Sequence, residues 1–159
     1  MVERVYLDTN VYCRPFDDQS DTRIRMESSA FIEIAEDSLR GKIVIVSSDY
    51  VKFEIGKILD PLKRKDVRGF ERTLASVNVA SDKRIVTLAR KFSAECSLNP
   101  LDALHISSAC LGKAKWFLTC DDEILQKGRC IEELAAKEEY RLKVRNPINY
   151  FRRRKEVKK

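Results

Sequence analysis

The sequence predicts an α/β layered fold, a central parallel sheet flanked by helices, on three observations. Short apolar segments rich in β-branched residues alternate with segments of helical periodicity. Three of those strand-like segments hold unbroken apolar runs, Val5-Tyr6-Leu7, Ile43-Val44-Ile45-Val46 and Trp116-Phe117-Leu118, as in parallel strands covered on both faces. No repeat, linker or low-complexity stretch divides the 159 residues, 43% of them hydrophobic, so the chain is sized for one domain with a real core. Strand, helix and strand in succession is the pattern of a sheet covered by helices, whose functional crevice lies beyond the carboxyl ends of the strands.

Each element has a local reason. Val2 to Leu7 is a short apolar strand, and Asp21 to Arg40 sets Ile24, Phe31, Ile34, Ala35 and Leu39 near one helical face before Gly41 stops it. Lys42 to Ser47 is a second strand, rich in β-branched residues. Ser48 is the N-cap of a helix running to about Leu59, where Asp60-Pro61 ends it. Asp66 to Ser76 reads as a further helix with little apolar periodicity, and Ser81 to Cys96 as a helix with Ile85, Leu88, Ala89 and Phe92 on one face. Asn99-Pro100 opens the next, with Pro in its first turn and Asp102 within reach of free N–H groups, as far as Leu111. Lys115 to Thr119 is a third strand. A helix then starts at Asp121 or Asp122 and breaks near Gly128 or continues weakly to Lys137, and Tyr140 to Val144 forms a last strand before Asn146-Pro147.

Charge and cysteine usage exclude several classes. The last eight residues carry six positive charges and one negative, leaving only +1 of the net +6 for the preceding 151. Residues 1–150 therefore read as the domain and 151–159 as a basic tail, which either binds polyanions or is simply a solvated end. Five cysteines without a C-x-x-C pair, beside a single histidine, exclude the usual zinc sites and argue for reduced, packed thiols rather than a disulfide framework. No apolar run approaches the ~20 residues of a membrane span, and Met1 leads directly into the first strand without a signal-like stretch, so the expected location is the cytoplasm.

The acids carry the functional reading. The first strand runs into Leu7-Asp8-Thr9-Asn10 and the third into Thr119-Cys120-Asp121-Asp122; parallel strands deliver both sets to one edge. Asp102 opens a helix that returns from that edge, and Glu54 lies about two turns into the helix after the second strand. Taken singly, these are ordinary caps and surface acids. Taken together, carboxylates about 4 Å apart repel by roughly 4 kcal/mol at an effective dielectric of 20, so the group needs protons or a cation. Oxygen-only sites suit Mg²⁺ or Mn²⁺.

Four stretches resemble the PIN-domain family of metal-dependent ribonucleases: Val5-Tyr6-Leu7-Asp8-Thr9-Asn10, the lone Glu54, Leu101-Asp102-Ala103-Leu104-His105-Ile106-Ser107-Ser108-Ala109, and Phe117-Leu118-Thr119-Cys120-Asp121-Asp122. The resemblance implies a three-layer fold and an endoribonuclease whose acids, here Asp8, Glu54, Asp102 and Asp121, bind one or two Mg²⁺ or Mn²⁺ ions. It implies that Thr9, Asn10 and Thr119 hold a carboxylate or a bound water. Asp122 competes with Asp121 for the fourth position, and Asp121 is preferred because it follows Thr119 by two residues, as in the family pattern. His105, three residues after Asp102, reads as a core histidine bonded to a backbone carbonyl rather than as part of the site. Cationic candidates for RNA are Arg14, Arg23, Arg25, Lys63, Arg64, Lys65, Arg68 and the tail residues Arg152, Arg153 and Arg154, with Tyr12, Phe16 and Tyr150 as bases' stacking partners.

Stand-alone PIN proteins of this size are similar to the toxin of a VapC-type toxin–antitoxin pair, which implies an antitoxin partner and a homodimer. The segment from Glu132 to Arg145 and the tail depart from that compact pattern. The rival class is a non-catalytic RNA-binding or interaction module with a degenerate PIN fold, in which the acids are caps.

Overall fold

The computed structural model describes residues 2–158, with side chains as far as residue 156. Met1 and Lys159, the two ends of the sequence, lie outside the described residues. The sheet contains β1 (Glu3–Leu7), β2 (Ile43–Ser48), β3 (Ala75–Val79), β4 (Trp116–Leu118) and β5 (Lys143–Arg145) in the order β3-β2-β1-β4-β5, with every pairing parallel. Val5 pairs with Ile45 on one side and with Trp116 on the other, so β1 is central, and its Val5, Tyr6 and Leu7 are fully buried.

The helices are α1 (Thr9–Cys13), α2 (Thr22–Leu39), α3 (Asp49–Gly56), α4 (Pro61–Leu74), α5 (Lys83–Cys96), α6 (Pro100–Leu111), α7 (Asp122–Gln126), α8 (Gly128–Lys137) and α9 (Pro147–Lys158). The connection β1-α2-β2 steps one way along the sheet, and β3-α5-α6-β4 returns past β1 the other way. Right-handed crossovers running in opposite directions place their helices on opposite faces. In keeping with this, α2 packs with α9, and α5 packs with α6 and α8. The chain order reverses between β1 and β4, so the crevice of this three-layer fold lies beyond Leu7 and Leu118.

Three expectations are corrected. The helix expected at 66–76 is α4, which begins at Pro61 behind an Asp60 cap and ends at Leu74; residues 75–79 form edge strand β3. The helix after β2 stops at Gly56 rather than near Leu59. Cys96 and Cys130 form a disulfide that ties the end of α5 to α8, whereas Cys13, Cys110 and Cys120 are free. These two cysteines are 34 positions apart and meet only because α8 packs on α5.

The basic end continues α9 rather than trailing from the domain. Asn146, just before α9, donates to Glu27 near the carboxyl ends of the strands. Arg154 reaches Asp37 at 3.3 Å and Glu3 at 3.8 Å, at the start of β1. Helix α9 therefore runs the length of the sheet, and its arginines lie at the edge opposite Asp8. No helix among the described residues is long and apolar enough to cross a membrane.

Candidate active site

The site is built where β1 and β4 end. Asp8 is 5% exposed and caps α1, its Oδ1 accepting from the Thr9 amide at 2.8 Å. Its Oδ2 accepts from Thr119 Oγ1 at 2.9 Å and from Asn10 Nδ2 at 3.2 Å. Asn10 also accepts from the Cys120 amide, and Thr119 Oγ1 accepts from the Asp121 amide at 3.1 Å. The two strand ends are thus laced through Asn10 and Thr119, with Asp8 at the centre. Burial pushes the Asp8 carboxyl above its ordinary pKa, and Glu54 adds to this while His105, Thr119 and Thr9 act against it.

Glu54 comes in from α3, which Ser48 caps. Its Oε1 accepts from Thr9 Oγ1 at 3.0 Å and from His105 Nε2. Burial works to raise the Glu54 pKa, but the His105 bond and charge, with Thr9 and Lys57, hold it below the ordinary carboxylate value. Donor atoms of Asp8, Glu54 and His105 all lie within 4.8 Å of one another.

Asp102 enters from the first turn of α6 and is half-buried; Asn99 caps its amide and donates to its Oδ2 at 2.7 Å. Burial, then the charges of Asp8, Asp121 and Glu54, push its pKa up to about 6 against the pull of His105. Asp121 is the N-cap of α7, accepting from the Glu123 amide at 2.9 Å. Asp122 is exposed and forms a paired contact with Arg23 through both oxygens at 2.8 Å. Of the adjacent acids, Asp121 shares charge with Asp102, whereas Asp122 is occupied by an arginine.

His105 differs from the sequence expectation. It is 1% exposed, but its partners are side chains of the site, Glu54 through Nε2 and the Tyr6 hydroxyl through Nδ1 at 2.7 Å, not a backbone carbonyl. The only hint was its position one turn after Asp102; its partners stand 51 and 99 residues away.

The cationic candidates divide. Arg14 is held by Asp17 and Glu27, and Arg23 by Glu27 and Asp122, on the flank of the crevice beside Cys120. Lys63 is paired with Asp17. Arg152 and Arg153 are exposed, Arg153 lying 4.5 Å over the Trp116 ring, while Arg154 is paired with Asp37 and Glu3. Tyr12 and Tyr150 are fully buried and cannot stack on bases; Phe16 is partly buried against Phe70.

The donor set fits a hard divalent cation. Its donors are carboxylate oxygens, two of which have pKa values raised first by burial and then by neighbouring acids, and the buried basic group beside them is His105. No curated protein shows a significant sequence match to the chain. The family model of the PIN domain matches residues 5–129, the stretch that supplies all four acids and every strand but β5. PIN domains are generally nucleases, and on this match the chain belongs to the PIN domain family.

Proposed function

We propose that the protein is an endoribonuclease that hydrolyses RNA phosphodiester bonds at this crevice with Mg²⁺ or Mn²⁺, held by Asp8, Asp102, Asp121 and Glu54. The observation that carries the reading is the convergence of carboxylates from four separate elements at the point where strand order reverses, with Asp102 pushed to about 6 by burial and then by the charges of the other three. A cluster of caps alone has no reason to converge. When bound, the ion supplies Lewis acidity toward the phosphate and activates water.

The chain's own residues set up that chemistry. Thr119, Asn10 and the Thr9 amide fix Asp8 so that its carboxylate needs no reorganisation. Asp102 and Asp121, both only partly buried, form the open side by which RNA enters. Glu54 orients water or serves a second ion. Asp122 acts through Arg23, keeping that guanidinium beside Cys120 and the crevice. Arg152 and Arg153 would hold RNA only at the far edge of the sheet, and Arg14 and Arg154 serve as internal ion-pair partners.

The test is cleavage of single-stranded and structured RNA in Mg²⁺, Mn²⁺ and EDTA, with Asp8→Asn in parallel. Cleavage lost in EDTA and in the variant, with the fold retained, supports the reading. RNA binding without cleavage in any metal would favour a non-catalytic RNA-binding module. The toxin form of the proposal adds an antitoxin that covers the crevice and a homodimer; arrest of growth on expression and the mass of the protein in solution test these separately.

A further inference from the structure

We propose that His105 is a positioning residue of this site, its ring pinned from behind by Tyr6 and Ser48 so that it holds Glu54 by Oε1 and leaves Oε2 to the crevice. The inference rests on the nuclease reading for its purpose, but its geometry stands alone. Ser48 Oγ accepts from the Val51 amide at the start of α3 and shares a 2.6 Å hydrogen bond with the Tyr6 hydroxyl. That hydroxyl meets His105 Nδ1, and His105 Nε2 meets Glu54 on the same helix α3 that Ser48 caps. The bonds form a closed circuit through β1, α3 and α6, and the Tyr6 ring is fixed by stacking on Phe117 at 5.3 Å.

The atoms at Glu54 decide the role. Both donors, Thr9 Oγ1 and His105 Nε2, end on Oε1, and no hydrogen bond among the described residues ends on Oε2. A carboxylate held this way has one oxygen anchored and the other presented. Because Glu54 is acceptor-only when ionised, Nε2 carries a hydrogen, and Nδ1 is engaged with Tyr6. Neither ring nitrogen is free to ligate a metal. That sets His105 apart from the carboxylates, although its atoms fall in the same tight group. A histidine serving only the core would need no carboxylate partner, since burying such a pair is costly unless each member is satisfied.

His105 is the sole histidine of the chain, so its ring ¹⁵N signals identify themselves. In the metal-free protein, Glu54→Gln and Tyr6→Phe are expected to shift those signals. Direct Mn²⁺ binding, followed by electron paramagnetic resonance, is expected to weaken about 10–100-fold in His105→Leu, as for other residues that orient a ligand. His105→Gln, which puts an amide N–H near the place of Nε2, should recover most of that loss. In cleavage assays the kcat of His105→Leu should return at high Mn²⁺ with the KM for RNA unchanged, which a general structural defect would not do. Should His105→Leu fail to fold, Tyr6→Phe, which keeps the stack on Phe117, and the ring signals carry the test.

Ring signals indifferent to Glu54→Gln, wild-type Mn²⁺ affinity in His105→Leu, or equal loss in the Leu and Gln variants would overturn the proposal. So would nitrogen hyperfine coupling to bound Mn²⁺ in ¹⁵N-labelled protein, which would make His105 a ligand. Failure of the nuclease reading looks different: a wild-type protein that binds no Mn²⁺ and cuts no RNA, while Glu54→Gln still shifts the ring, supports the His105–Glu54 contact and removes its metal.

Discussion

Asp102→Asn should make the metal-free protein more stable while removing its response to metal. In the folded protein the Asp102 carboxyl is pushed from 3.8 to about 6, by burial first and then by Asp8, Asp121 and Glu54. The folded state therefore holds this proton more tightly than the unfolded chain does. Its contribution is fully favourable below about pH 4, is lost as pH rises through about 6, and stays lost above. A shift of about two pKa units corresponds to roughly 3 kcal/mol at full weight. Because Asp102 is only half-buried, solvent screening cuts this to about 1.5 kcal/mol.

Asparagine keeps an oxygen for Asn99 Nδ2 and the volume of the side chain but carries no charge. Thermal unfolding in EDTA should place Asp102→Asn about 3–6 °C above wild type at pH 8, with the gap closing near pH 4. Added Mn²⁺ should stabilise the wild type by about 2.7 kcal/mol at a hundredfold excess over Kd, raising its midpoint, and move the variant much less, so that the order inverts. A variant less stable than wild type at pH 8, or a gap equal at pH 4 and pH 8, would show that the carboxylates do not crowd one another.

Gly112 follows α6 at φ −75°, where the backbone does not demand glycine but the space does: an added Cβ would meet Val46 Cγ1 at 2.7 Å and Val79 Cγ2 at 2.9 Å. Gly112→Ala should therefore cost about 1–3 kcal/mol, read from urea unfolding, and an unchanged midpoint would mean that β2 and β3 yield freely. Cys130→Ser opens a loop closed by a disulfide of sequence separation 34 and should lower stability by up to about 4 kcal/mol. Reductant should lower wild type to the level of that variant and leave the variant itself unmoved; a wild-type midpoint indifferent to reductant would mean the thiols are not bonded in solution. Arg152→Ala with Lys155→Ala, both exposed on α9 at the edge away from the acids, should leave kcat unchanged and reduce the salt dependence of RNA binding; a loss of kcat would place the substrate across the whole molecule.

The acids were legible in the sequence because their positions are fixed by local rules. Asp8 and Asp121 follow strand ends as caps, Asn99-Pro100 starts the helix of Asp102, and parallel strands share a direction. What escaped depends on contacts across the fold. Strand β3 offers Ala75, Val77 and Val79 half-buried between exposed Ser76 and Asn78, a five-residue alternation that follows a helix without a break. The role of His105 needs Tyr6 from the central strand, and the choice between Asp121 and Asp122 needs Arg23 from α2. Tyr12 and Tyr150 look available for stacking until the helices around them are assembled.

Charge balance explains how one site can both cost the fold stability and favour a cation. Asp8, Asp102, Asp121 and Glu54 share the crevice, and His105 is the group that answers them from within. Burial disfavours its charge, but Glu54, Asp8 and Asp102 carry its pKa above the ordinary value. Its contact with Glu54, helped by Lys57, holds that pKa down, and its pull on Asp8 and Asp102 leaves both still raised. Thr9, Asn10 and Thr119 add hydrogen bonds but no positive charge, so they orient Asp8 without neutralising it. A divalent cation would supply positive charge, and the stability it returned would come from the two acids whose pKa values the fold raises. Repacking the crevice with neutral residues would remove that deficit and the reason for metal to bind together, which is why the most stable version of this fold should be an inactive one.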